Sequence, residues 1–300
     1  MRYRIVHTTR YVYDDDVTGS FGQFHLRPRD LPWQQLAAHE VSVGPSPDTL
    51  ARHTDLYGNT KTVFHVTTPH RLLEITGTSV VDVAAPDVDP EAFATPWERA
   101  RPASRADVED AWRALDFTFA SPRVAIPDAA REYADASFGA HRPVGECVLD
   151  LMHRVHADFT YAPGVTTVNT GVGELLVRRK GVCQDFSHVM IAALRSMGLA
   201  ARYVSGYLAT TPPPGKARLV GADATHAWVG CWLPGGDWLY ADPTNDRLID
   251  TSHATVAWGR DYGDVAPVRG VIFTDSKKSE LDVSVDMAPA DEGVPDPVPA

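Results

Sequence analysis

The chain has 300 residues, of which 44% are hydrophobic and 22% charged, the balance of a soluble globular protein with enough apolar mass for a core and a cleft. A net charge of -11 excludes a general nucleic-acid binder, which needs basic surface to displace counterions from phosphates. Three cysteines, Cys147, Cys183 and Cys231, form an odd set with no close pair, so neither a disulfide framework nor a Cys-x-x-Cys zinc site is expected. No apolar run is long enough to span a bilayer, and Met1-Arg2-Tyr3-Arg4-Ile5 lacks the apolar stretch of a signal peptide. The reading is a cytoplasmic protein with reduced thiols and no membrane or nucleic-acid partner.

Residues 1–85 read as β. In 2–13 the set Tyr3, Ile5, His7, Thr9, Tyr11 and Tyr13 alternates with Arg2, Arg4, Val6, Thr8 and Arg10, the period of a half-buried strand. Further strands are expected at 39–44, 61–68 and 72–83, with Tyr57-Gly58-Asn59 as a turn. Together they suggest a small antiparallel β-sandwich domain. Residues 86–102, rich in Pro, Ala and Asp, read as a connector.

Helices follow. Ser104 is placed as an N-cap before Val108, Trp112 and Leu115, and Pro127 as a first-turn proline before a segment to Phe138. Pro143 opens another helix, with Val144, Cys147, Val148, Leu151, Met152 and Val155 on one stripe, so Cys147 is expected to be a buried structural thiol. The clearest helix is 183–197. There Phe186, Val189, Met190, Ala193, Leu194 and Met197 recur at three and four residues, and Gly198 stops the run. Strands are expected at 201–208, 226–233, 238–242, 268–273 and 281–285. The Pro-rich stretch 209–222 reads as a loop. A second domain is bounded at 103–285, and the acidic, Pro-rich tail 286–300 is expected to be disordered.

Cys183 begins the strong helix directly after Lys180-Gly181-Val182. A thiolate there faces the positive end of the helix dipole and unpaired backbone N–H groups, which favour the anion and can also hold an oxyanion. A thiol nucleophile needs a base, and the base needs a group that fixes its tautomer. His226, Trp228, Gly230 and Trp232 share one strand face, with Cys231 on the other. Pro234-Gly235-Gly236-Asp237 then turns the chain into 238–242, a hairpin. An even index sum near 470 puts His226 and Asp242 on one face as diagonal neighbours, roughly 7–8 Å apart, within reach of a His–Asp hydrogen bond. An odd sum would split them across the sheet.

Gly181-Val182-Cys183-Gln184-Asp185-Phe186-Ser187-His188 resembles the nucleophile motif of bacterial transglutaminase-like proteins. Ala201-Arg202-Tyr203-Val204-Ser205-Gly206-Tyr207 is similar to the strand that follows it. Asp223-Ala224-Thr225-His226-Ala227-Trp228 and Asp242-Pro243-Thr244-Asn245 resemble the His and Asp motifs, with Thr225 where Ser is common. The run 259–267, together with Leu26-Arg27-Pro28-Arg29 and Tyr57-Gly58-Asn59, extends the likeness to the two-domain members. The spacings are 43 residues from Cys183 to His226 and 16 from there to Asp242.

The resemblance implies an α+β fold: a papain/transglutaminase-like core, in which a helix bearing Cys packs on an antiparallel sheet bearing His and Asp, preceded by the β domain. It implies a Cys183–His226–Asp242 triad acting on peptide or protein amides through a thioester. Hydrolysis is the expected outcome, protein-glutamine transamidation the alternative, and a non-catalytic binding module the reading of another class. Gln184, Tyr161 and Trp228 are candidates for substrate or oxyanion contacts. Asp14-Asp15-Asp16 lacks the spaced ligands of an EF-hand, and Cys183, His188 and His226 lack a zinc spacing, so no metal or cofactor is expected.

Overall fold

The computed structural model describes residues 1–102, 111–210 and 224–290. The Ser104 cap, most of the 209–222 loop and the last ten residues of the tail lie outside the described residues. In chain order the elements are β1 (Arg2–Phe24), β2 (Gln34–Gly44), β3 (Thr49–Thr54), β4 (Thr60–Val66), β5 (His70–Val83), α1 (Pro90–Ala94), α2 (Ala111–Leu115), α3 (Asp128–Asp135) and α4 (Val144–Asp158). Then come β6 (Thr160–Tyr161), α5 (Val172–Arg178), β7 (Lys180–Gly181), α6 (Cys183–Ser196), β8 (Ala201–Leu208), β9 (Ala224–Trp232) and β10 (Trp238–Asp242). The last are β11 (Arg247–Leu248), β12 (His253–Gly259), α7 (Tyr262–Val265), β13 (Val268–Thr274) and β14 (Ser279–Pro289).

The alternation in β1 is real: Tyr3, Ile5, His7, Thr9 and Tyr13 are buried. The strand is 23 residues long, however, and its pairing slips between Val12 and Val17. Its first half runs between β5 and β14, its second between β4 and β13. The two halves close over Tyr13, Val17, Phe24, Leu26, Phe64, Val66, Leu73 and Ile75. All seven strands belong to one sheet, with β1 running through it.

Two strands of this sheet come from the far end of the chain. Sequence order alone puts 268–285 in the second domain and 286–300 in a tail; backbone pairing puts β13 and β14, as far as Pro289, in the first sheet. Period two identifies a strand but not its partner, which is why the domain boundary moves.

The second sheet is antiparallel in the order β11-β10-β9-β8-β12. One face, carrying Ala201, Tyr203, Ala227, Val229, Cys231, Leu239 and Ala241, shares a core with Phe186, Val189, Met190 and Leu194 of α6 and the α4 stripe. Cys147 and Cys231 are both buried in that core, and burial pushes each thiol up to about 12. The other face carries Val204, Trp228, Tyr240 and Ile249, with Trp33, Trp238 and Trp258 against them. There the Arg202 guanidinium lies between the rings of Trp238 and Trp258, at 3.9 and 3.7 Å from their centroids, and Arg29 covers the latter at 3.5 Å. Stacking of this kind lets a cation lose water without a carboxylate partner.

The first sheet also seals the second. β12 is an edge strand, and an unpaired edge invites association. Gln34 donates to the Thr255 carbonyl at 2.8 Å and accepts from its N–H at 2.7 Å. Asn59 does the same for Trp258, at 2.8 and 2.9 Å. The Tyr57-Gly58-Asn59 and Arg27-Pro28-Arg29 segments are thereby explained physically, since two side-chain amides and a stacked arginine replace the missing strand.

Candidate active site

Cys183 is the first residue of α6 and is partly exposed, unlike the other two thiols. The helix start is fixed by Asp185, three residues after the N-cap Val182. Its Oδ2 accepts from the Val182 N–H at 2.8 Å and from the Thr166 hydroxyl at 2.7 Å. Burial raises the Asp185 pKa, opposed by those two donors. Gly181 is required by the same contact, since a Cβ there would overlap Asp185 Oδ2. The N–H groups of Cys183 and Gln184 fall in the first turn, where a helix supplies no acceptors of its own.

The hairpin of β9 and β10 has the register on which the site depends. All four observed pairs, from Trp238 with Trp232 to Ala241 with Val229, carry the index sum 470. His226 and Asp242 accordingly share a face. His226 Nε2 donates to Asp242 Oδ2 at 2.7 Å, with both side chains buried. Burial by itself would lower the His226 pKa; the Asp242 hydrogen bond, a hydrogen bond with Cys183 and the charge on both reverse this and raise it to about 10. With Nε2 committed to Asp242, Nδ1 is the nitrogen left for the sulfur.

Asp242 has an unusually full set of donors. Its Oδ1 accepts from the N–H groups of Thr244 at 2.9 Å and Asn245 at 3.2 Å. Its Oδ2 is met by His226, by Asn245 Nδ2 at 2.7 Å and by His253 Nε2 at 3.3 Å. Burial would raise the Asp242 pKa, but hydrogen bonds from His226, His253 and Asn245 hold it far below the usual carboxylate range. These donors favour the ionised carboxylate. It fixes the tautomer of His226 and steadies its charged form.

Of the secondary candidates, Tyr161 pairs with Gly181 in the short parallel ladder of β6 and β7 and is half exposed. Its hydroxyl pKa is raised by burial and then by the neighbouring Cys183. Gln184 is mostly buried, its amide turned toward the Val168 carbonyl. Trp228 does not wall the cleft: it is fully buried beneath His226 and His253, with ring centroids 6.1 and 5.4 Å away. Alternation does put it on the His226 face, but that face is covered by the first domain.

His188 accepts from the Tyr262 N–H at 3.2 Å, and burial lowers its pKa to about 3, so it is a neutral structural group. Sequence reasoning missed His253, which no spacing marks, and gave Asn245 no separate role. Among the described residues, the metal-ligand types that converge are His226, Asp242 and His253, within 4.8 Å of one another. Their atoms are already joined through protons on one carboxylate oxygen, so a cation would have to displace the His226–Asp242 bond.

Comparison with known proteins bears on this geometry. Residues 3–82 match the model of the bacterial transglutaminase-like N-terminal region, and residues 131–243 match that of the transglutaminase-like superfamily. An uncharacterized protein of Mycobacterium tuberculosis is 48% identical over 96% of this chain and 93% of its own length. The chain belongs to the bacterial transglutaminase-like family. Another relative, an uncharacterized protein of Mycobacterium leprae, is 33% identical over 95% of this chain and 98% of its own. A solved structure of a cysteine-protease candidate from Cytophaga hutchinsonii has the same fold, with a TM-score of 0.73 at 20% identity over 99% of this chain and 93% of that one. The family's two regions correspond to the first sheet and the helix-on-sheet core. No helix among the described residues is long and apolar enough to cross a membrane.

Proposed function

We propose that this transglutaminase-like protein cleaves amide bonds of peptides or proteins through a thioester on Cys183, with water as the second acceptor. The observation that carries the reading is the meeting of a partly exposed Cys183, at a helix N-terminus, with a buried His226–Asp242 pair. In the first half-reaction His226 Nδ1 takes the Cys183 thiol proton, the sulfur attacks the carbonyl carbon, Nδ1 passes that proton to the leaving nitrogen, and the C–N bond breaks. In the second, His226 takes a proton from water, the hydroxide adds to the thioester carbon, and the C–S bond breaks to release the acid and regenerate Cys183. Asp242 stays ionised throughout. The Cys183 N–H is assigned to the oxyanion, and Tyr161 as a second donor, supported by its place beside Gly181 and its electrostatic contact with Cys183. Three unpaired cysteines suit a reducing compartment, so we place the reaction in the cytoplasm.

The test is a peptide-amide library offered with and without a primary amine. Release of free acid by the wild type, and none by Cys183→Ala, supports hydrolysis. Amine incorporation in preference to acid makes the protein a transamidase. Equal turnover by wild type and Cys183→Ala sinks the cysteine mechanism and leaves a binding module.

A further inference from the structure

His253 stands at the start of β12 with no exposed surface. Its Nε2 lies 3.3 Å from Asp242 Oδ2, the same oxygen that His226 meets at 2.7 Å. Its Nδ1 receives the backbone N–H of Asp250 at 3.2 Å. A backbone amide is always a donor, so Nδ1 must accept, and the ring proton sits on Nε2, aimed at Asp242. The Asp250 carboxylate also comes within 3.1 Å of Nδ1, while accepting from the hydroxyl and N–H of Ser252 at 2.5 and 2.8 Å and from Arg247 at 3.2 Å. The fully buried Trp228 presses edge-on against the ring, centroids 5.4 Å apart. His253 is therefore held in one orientation by hydrogen bonds at both nitrogens and by packing.

We propose that His253 is a positioning residue for the site: it holds Oδ2 of Asp242 as a second imidazole donor beside His226, so that the carboxylate presents one fixed orientation to the His226 ring. The proposal rests on the triad reading above. Oδ1 is anchored by backbone N–H groups of the turn, whereas Oδ2 is anchored by side chains alone, His226, Asn245 and His253. Removing the last leaves a buried lone pair short of a donor and lets the carboxylate turn about its own bond. Small displacements of this kind are costly in a site that works by alignment.

The test uses the full chain labelled with 15N-histidine. Couplings in the wild type should show His253 neutral with its proton on Nε2; a proton on Nδ1, or on both nitrogens, overturns the proposal without any variant. His253→Phe should slow alkylation of Cys183 by iodoacetamide about 10- to 100-fold and speed exchange of the His226 Nε2 proton with water. His253→Gln, which restores a donor of similar reach, should recover both. A purely structural role lowers thermal stability and leaves the His226 proton signal where it was. A His253→Phe protein that matches wild type in both readouts, while Asp242→Asn loses both, overturns the proposal and leaves the triad standing. Should Asp242→Asn leave alkylation unchanged, the triad reading falls, and this proposal with it. If His253→Phe does not fold, the wild-type tautomer and His253→Gln decide.

Discussion

The two sheets use the same alternating strands and meet opposite fates. The second is covered on both faces, by α4 and α6 on one side and by the aromatic layer and the first domain on the other. The first keeps one face partly open, leaving Phe21, Leu50, Val271 and Phe273 exposed. The difference shows where chemistry can sit. A histidine–carboxylate pair is strong only where water is excluded, and that needs a sheet buried twice whose strand ends meet a helix N-terminus. The first sheet supplies burial: β14 contributes Val285 and Met287 to the shared core, His7 bonds the Tyr207 hydroxyl at 3.0 Å, and Gln34 and Asn59 close the β12 edge.

If that division of labour holds, damage to the two regions should separate. The largest effect belongs to the second sheet. Asp242→Asn should lower turnover of an amide substrate about 10⁴-fold, by leaving His226 in the wrong tautomer, while circular dichroism shows an intact fold. The same pair carries a pH signature. The His226 pKa is raised in the folded state from 6.5 to about 10, so its stabilising contribution is complete below 6.5 and is lost as pH rises through about 10. Denaturant titrations from pH 6 to 11 should show wild type losing its advantage over Asp242→Asn across that window; a constant gap breaks the assignment.

Damage to the first sheet should do the reverse. Met287 is fully buried, and Met287→Ala should cost about 2–5 kcal/mol of stability, with Cys183 alkylation unchanged at temperatures where the protein stays folded. A smaller cost is expected for Gln34→Ala, which strips the Thr255 N–H of its acceptor, the carbonyl keeping the Arg29 N–H: about 1–3 kcal/mol for the unsatisfied group, read as a lower midpoint in urea. Thr166→Val probes the boundary between the two kinds of damage, at the helix start. It removes one of two donors to Asp185 and should cost about 0.5–1.5 kcal/mol. Loss of Cys183 reactivity beyond that loss of stability would show that the cap also sets the nucleophile's position.

How much of this was legible follows from what each signal encodes. The α6 stripe and the hairpin were readable because both are local: period 3.6 ending at Gly198, and a four-residue turn whose index sum decides which faces match. Position along the chain separates Cys147 and Cys231, on apolar faces, from Cys183 at a helix start. The partners of β13 and β14 were not readable, because alternation is silent about which strand lies alongside. β3, α5 and β12 are absent from the elements expected above. His253 is invisible in the sequence because its partner Asp242 lies on a strand that is not its neighbour. Trp228, a candidate for substrate contact by its place on the His226 face, is fully buried, because one strand cannot report what covers its face.

Activation of Cys183 by the His226–Asp242 pair is open to a direct mass-spectrometric competition, in which limiting iodoacetamide is offered to native protein at pH 7 and the three cysteines are followed separately. Cys183 should react at least about 100-fold faster than buried Cys147 and Cys231, and in folded His226→Ala its rate should drop toward that of an ordinary exposed thiol. A Cys183 rate that His226→Ala leaves unchanged would rule that activation out, since exposure alone would then explain the difference.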